Sequence, residues 1–197
     1  MTTYEKNIAN RSWLRYIAGL IIRWKRTMRF RYIAWVARRH GATVGECVCM
    51  PMSLAKKANK NLIIGSHVVI QTDKIDMRSP VTIGNNVIIG SGSEIITTSH
   101  NIDSPDWEHK HYGICIKDYV WIPMKILVLP SCREIGTGAV VGSGSVVVKN
   151  IEAMSVVSGN PAKEFKKRKC LPTDLCVESM LSGDYEAYRR AWRMRKK

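Results

Sequence analysis

The sequence predicts an all-β solenoid of hexapeptide repeats with helical segments at both ends, and three observations predict it. Apolar β-branched residues recur at a spacing of six: Ile64 and Ile70; Ile83, Ile89 and Ile95; Ile116, Ile122 and Val128; Ile135, Val141 and Val147. Glycine directly follows several of them (Gly65, Gly84, Gly90, Gly136, Gly142), while Ser93, Ala139 and Ser145 hold the fifth place of their repeats. The charge, finally, lies at the ends: of the formal +15, residues 1–60 carry 13 basic and 2 acidic side chains, residues 61–160 carry 7 and 9, and residues 161–197 carry 11 and 5. A helix needs apolar spacing of three and four, and a half-buried strand needs simple alternation. A fixed six instead describes short strands separated by tight turns, each β-branched side chain pointing inward and each small residue letting the backbone bend.

The N-terminal segment, residues 1–43, reads as helical. Trp13, Leu14, Ile17, Leu20, Ile21, Trp24 and Met28 recur at three and four and define one apolar face, with Arg11, Arg15, Arg23, Lys25, Arg26 and Arg29 around it. Gly41, after Arg38 and Arg39, marks the helix end, where cations meet the negative pole of the dipole. Two uses fit such a helix. It caps the open end of the solenoid, a general need of repeat folds, or it lies on an anionic membrane face with its arginines toward the lipid. Its most apolar run, Tyr16 to Ile22, is seven residues between arginines, far short of the roughly 20 that span a bilayer. Nothing resembles a secretory signal, so the expected location is cytoplasmic, with peripheral contact at the inner membrane face as the alternative for the helix.

The repeats occupy residues 44–162 and break at residues 101–115, which contain Pro105, Trp107, His109 and His111. An interruption of about 15 residues is long enough to be read as functional. His100 stands at its entrance, and a neutral imidazole suits proton removal near pH 7. His109 and His111, two residues apart in one loop, do not supply a three-histidine metal site. The six cysteines (Cys47, Cys49, Cys115, Cys132, Cys170, Cys176) include no C-x-x-C pair, so neither metal nor redox use is expected and buried reduced thiols are. Residues 163–197 form a basic, partly helical tail.

Together these residues carry a family resemblance. Ile83-Gly84-Asn85-Asn86-Val87-Ile88-Ile89-Gly90, Ser99-His100, Val120-Trp121-Ile122, the run from Ile135 to Val147, and Ser158-Gly159-Asn160-Pro161-Ala162-Lys163 resemble the hexapeptide-repeat acyltransferases, in particular the sugar and xenobiotic O-acetyltransferases. The resemblance implies a left-handed parallel β-helix, a homotrimer with sites between subunits, and transfer of acetyl from acetyl-CoA to a hydroxyl with His100 as general base. It implies a cofactor groove at Trp121, Met124, Ser143, Val148, Lys149, Lys163 and Lys166, with the Met124 N–H as oxyanion donor and the two last lysines on phosphates. The implied acceptor is a sugar of a cell-surface polysaccharide such as capsule or lipopolysaccharide, with an antibiotic hydroxyl or an amino sugar as alternatives.

Two features depart from the family pattern. Pro123-Met124 stands where glycine usually follows Trp-Ile, and the step from Val128 to Ile135 is seven, implying a bulge within Ser131-Cys132-Arg133-Glu134. Asp103, Asp106, Glu94 and a backbone carbonyl are equal candidates for holding the second ring nitrogen of His100. From another class, the basic charge alone would suit a nucleic-acid binder. The basic residues, however, sit on terminal segments without a recognised module, so no nucleic acid is expected as a partner.

Overall fold

The computed structural model describes residues 1–196. In chain order its elements are helix α1 (Thr3–Ala9), helix α2 (Trp13–Arg39), β1 (Thr43–Val44), helix α3 (Met52–Lys57), β2 (Leu62–Ile64), β3 (Val69–Ile70), β4 (Val81–Ile83), β5 (Ile88–Ile89) and β6 (Glu94–Ile95). They continue as β7 (Thr98–His100), β8 (His109–His111), β9 (Ile114–Ile116), β10 (Trp121–Ile122), β11 (Leu127–Val128), β12 (Glu134–Ile135), β13 (Val140–Val141), β14 (Val146–Val147), β15 (Ser155–Gly159), β16 (Ala162–Lys167) and helix α4 (Tyr185–Arg193). Most of the strands belong to three parallel walls. Wall A is β1-β2-β4-β9-β12, wall B is β3-β5-β10-β13-β15, and wall C is β6-β11-β14. The chain visits A, B and C in rotation.

The period explains the sequence pattern and corrects one part of it. Register partners such as Leu62 and Val81, Val69 and Ile88, Trp121 and Val140, and Leu127 and Val146 stand 19 residues apart. A 19-residue turn is three hexads plus one residue, so the step of seven after Val128 is not an isolated bulge. The same surplus lies between Ile70 and Ile83. At the later corner the Cys132 N–H donates to the Leu129 carbonyl at 2.9 Å and the Cys132 side chain is buried, so the extra residue is spent on a tight turn that fills the interior.

All eleven phased positions are 1% exposed or less. Burying such side chains contributes roughly 1.5–3 kcal/mol each as an upper estimate. Between walls A and B the corner residues Cys47, His67, Asn86, Tyr119 and Gly138 share a left-handed φ between 53° and 73°. At Gly90 the need is for space: an added Cβ would stand 2.6 Å from the Pro123 carbonyl oxygen of the next turn.

The first-turn end of the coil is closed by helices, but not by the residues the apolar pattern indicated. Ile33, Ala34 and Ala37, late in α2, are buried against the first turn. Trp13, Leu14, Ile21 and Trp24, from the predicted apolar face, are half or more exposed. The early part of α2 instead packs through Gly19 and Leu20 on α1 and α4, around the fully buried Tyr188. There Arg23 lies over the Tyr188 ring at 4.1 Å and its Nε stands 3.0 Å from an Asp184 oxygen. The segment after residue 162 is also more ordered than a basic tail: β16 folds back antiparallel on β15.

Of the six free cysteines only Cys49 and Cys132 are buried; Cys47 and Cys170 are exposed, contrary to the expectation of uniformly buried thiols. Burial pushes the Cys49 and Cys132 thiols up to about 12, which keeps them protonated and inert.

Candidate active site

His100 sits on an ordered hairpin, not in an irregular loop. Strand β7 pairs antiparallel with β8, with His100 opposite His109 and Thr98 opposite His111. The insertion therefore begins before residue 101 and ends before residue 115, because Ile114–Ile116 already belongs to wall A.

Asp76 fixes the base of this hairpin. Its carboxylate accepts from the Thr97 N–H at 3.2 Å, the Thr98 hydroxyl at 2.8 Å and the Arg78 Nε at 2.8 Å. Burial pushes the Asp76 carboxyl up, but the hydrogen bonds from Arg78, Thr98 and the backbone outweigh that and hold it well below the usual carboxylate range. Sequence reading missed this residue, since nothing in the pattern joins position 76 to position 98.

At the hairpin tip the His100 Nδ1 lies 2.6 Å from the Trp107 carbonyl oxygen. Trp107 adopts φ 55°, which turns that carbonyl back toward the imidazole. A carbonyl only accepts, so Nδ1 is the nitrogen that donates to it, and in the neutral imidazole the lone pair then falls on Nε2. Among the open candidates, then, the backbone carbonyl holds the ring. Glu94 faces Lys74 and Asp106 bonds Ser104, so neither is occupied with His100. The His109 ring packs at 4.3 Å from that of His100, and the Ser79 hydroxyl stands 3.3 Å from the His111 Nδ1.

A second set of residues lies on wall B. Register partners form a row across it: Cys49, Val69, Ile88, Trp121, Val140, Val156 and Lys166. The 3-10 turn Val177–Leu181 covers the first three of these, where Val177 is buried against Cys49, Val69 and Ile88. From Trp121 onward the row is more open: Trp121 and Lys166 are exposed and Val140 is half-buried, although Val156 is buried. Three strand spacings separate Trp121 from Lys166, roughly 14 Å. Lys163 is opposite Ser158 two places along the same strand pair, and both lysines are exposed with no ion pair among the described residues.

Met124 and Ser143 occupy neighbouring corners between walls B and C, where the Gly144 N–H reaches the Met124 carbonyl at 3.3 Å. The Met124 N–H itself donates to no group among the described residues. Its position is set by buried Ser93, whose hydroxyl donates to the Pro123 carbonyl at 2.7 Å and accepts from the Ile126 N–H at 3.3 Å. Val148 and Lys149 follow β14 on wall C, Val148 half-buried and Lys149 exposed. The structure thus groups Trp121, Lys163 and Lys166 on wall B and sets Met124 and Ser143 at its edge. No described contact joins any of them to His100, whose hairpin leaves from wall C.

A further grouping had no signal in the sequence. Cys47, His67 and Glu178 bring metal-ligating atoms within 4.8 Å of one another, and the His67 Nδ1 stands 3.0 Å from a Glu178 oxygen. Here it ties the Val177–Leu181 turn to the first turns of the walls.

No family model matches the chain. It is 39% identical over 93 residues to an acetyltransferase of Schizosaccharomyces pombe, a stretch covering 44% of this chain and 43% of that protein. It is 28% identical over 153 residues to the colanic acid biosynthesis acetyltransferase WcaF of Escherichia coli, covering 77% of this chain and 84% of that one. The chain thus spans less than half of the first relative and most of the second. Among solved structures, the hexapeptide-repeat acetyltransferase VCA0836 of Vibrio cholerae shares the fold, with a TM-score of 0.57 at 23% identity over 79% of this chain and 94% of that one. The sequence relatives are thus named as acetyltransferases, and the fold is the one seen in a hexapeptide-repeat acetyltransferase.

Proposed function

We propose that this protein is an O-acetyltransferase that moves acetyl from acetyl-CoA to a sugar hydroxyl of a cell-surface polysaccharide unit, with His100 as general base. The observation that carries this reading is the His100 Nδ1 to Trp107 carbonyl hydrogen bond of 2.6 Å, which leaves Nε2 as the free base. As the acceptor oxygen attacks the thioester carbonyl, Nε2 takes its proton. The Met124 N–H, free of other acceptors among the described residues, suits the oxyanion of the tetrahedral intermediate. The thiolate of coenzyme A then leaves and takes up the proton.

The open row on wall B fits the cofactor. The pantetheine arm would cross the strands between Trp121 and Lys166, beside the corners at Met124 and Ser143. Lys163, Lys166 and Lys149 would meet the phosphates as point charges. Because His100 and this row sit on different walls, one chain supplies two half-sites, and the working unit is a homotrimer in which the hairpin of one copy meets wall B of the next. The rotation of the chain through three parallel walls supports reading the coil as the left-handed parallel β-helix that the family resemblance implies, and the location proposed with it is cytoplasmic.

The sugar acceptor rests on the likeness to WcaF, whose name places it in colanic acid biosynthesis. The exposed hairpin tip, with Ile102 and Trp107 at its surface, would face the acceptor. The test is release of coenzyme A thiol from acetyl-CoA over a panel of sugars, nucleotide-sugars, amino sugars and antibiotics. A sugar hydroxyl is expected as the best acceptor; turnover only on an antibiotic or an amino group would replace this reading.

A further inference from the structure

Helix α2 carries two apolar surfaces, and only one is used by the fold. The inner one, with Gly19, Phe30, Ile33, Ala34 and Ala37, faces α4 and the first turn of the walls. The outer one runs through Leu14, Ile17, Ile21, Trp24, Met28, Tyr32 and Trp35, at steps of three and four over the length of the helix, about 40 Å. At 100° per residue its centre lies roughly 175° from the inner surface. Leu14 is 73% exposed, Ile21 51%, Trp24 50%, Tyr32 57% and Trp35 53%.

Between the two surfaces lies charge of one sign. The helix holds eight Lys and Arg and no Asp or Glu. Arg23 and Arg38 are spent on the fold, through Asp184 and the Val44 carbonyl. Arg15, Lys25, Arg29 and Arg31 are exposed and make no ion pair among the described residues. Arg39 lies over the Trp35 ring at 5.9 Å.

We infer that the outer face of α2 docks the protein on an anionic phospholipid surface. Three tryptophans, Trp13, Trp24 and Trp35, recur every eleven residues and so fall on nearly one line. Indole, with an apolar body and a polar N–H, settles at the headgroup boundary, while flanking cations meet lipid phosphates. A second copy of the same helix is disfavoured as occupant, because it would bring an equal row of unneutralised cations against this one. No helix among the described residues is long and apolar enough to cross a membrane, so the contact lies in the interface plane. The stripe points away from the first turn of the walls. If the protein is the trimer proposed above, with parallel axes, three stripes share one end and each adds to the binding.

This inference concerns where the enzyme works, and its test reads lipid binding independently of transfer. The full chain is floated with vesicles of phosphatidylglycerol and phosphatidylethanolamine, and with phosphatidylcholine alone, at low and high salt. Preference for the anionic vesicles by about tenfold or more at low salt, weakened by salt, is expected, since each cation adds about fivefold. Trp24→Ser with Trp35→Ser, and separately Lys25→Glu with Arg29→Glu, should each abolish the preference while circular dichroism, mass by light scattering and thiol release on a soluble acceptor are retained. In the unmodified protein, brominated lipid should quench tryptophan fluorescence. Equal binding to neutral and anionic vesicles, or none to either, overturns the inference. So does a change of oligomeric mass in the Trp24→Ser, Trp35→Ser variant, which would make the stripe a contact between copies.

Discussion

His100 depends on a backbone carbonyl for its orientation, which makes its support sensitive to main-chain geometry and insensitive to side-chain identity. His100→Ala is expected to lower turnover by about 10² to 10⁴ while acetyl-CoA affinity, read by calorimetry, stays within a small factor. Trp107 provides the finer test. Trp107→Gly keeps the carbonyl and tolerates φ 55°, so it should retain most of the turnover. Trp107→Pro fixes φ near −65° and should fall toward the level of His100→Ala. At the proposed cofactor groove, Ser93→Ala leaves the Pro123 carbonyl and the Ile126 N–H without a buried partner. A loss of about 1–3 kcal/mol by denaturant unfolding is expected, with a rise in KM for acetyl-CoA because the Met124 corner loosens.

Among the elements, the hairpin shows how far the sequence could be read. Its position was legible because His100 follows a phased strand and the next phased residue is Ile116. Its internal order was not, because β7 and β8 carry polar side chains on both faces and no alternation marks them. Asp76 was invisible for a related reason: it acts through a contact between adjacent turns, 21 residues along the chain from the Thr97 N–H, and periodicity reports only what faces the core. Helix α2 misled in the opposite way, since its apolar stripe is real but faces solvent, while its packing face uses Gly19, Ala34 and Ala37, which carry little hydrophobic signal. For the hairpin a pH dependence follows. Asp76 has its folded pKa below the unfolded value near 4, so its contribution is fully present above about pH 4 and is lost as pH falls toward the folded value. Hydrogen exchange should find the hairpin amides equally protected, after correction for intrinsic rates, from pH 8 to pH 5. Asp76→Ala should remove that protection across the whole range and lower turnover while leaving acetyl-CoA affinity unchanged. A variant with unprotected hairpin but full turnover would show that hairpin order is not what positions His100.

At the scale of the whole molecule, the hairpin of His100 leaves from wall C while the open row with Trp121 and Lys166 lies on wall B, and the proposed function joins the two between copies. The core is a stack of single β-branched side chains, so Ile122→Ala in its middle is expected to cost about 2–5 kcal/mol by denaturant unfolding. The division itself can be tested by mixing defects. One copy carrying His100→Ala and another carrying Lys163→Glu with Lys166→Glu are each expected to be nearly inactive at low acetyl-CoA when made alone. If sites form between copies, co-expression yields assemblies in which some interfaces pair an intact His100 with an intact wall B, and activity returns to a measurable fraction of the unmodified protein. If each site is built within one chain, every site in the mixture carries one of the two defects, and no activity returns. Isolating the mixed species by two different affinity tags before assay makes the outcome independent of expression level, and light scattering on that species gives the number of copies that share the work.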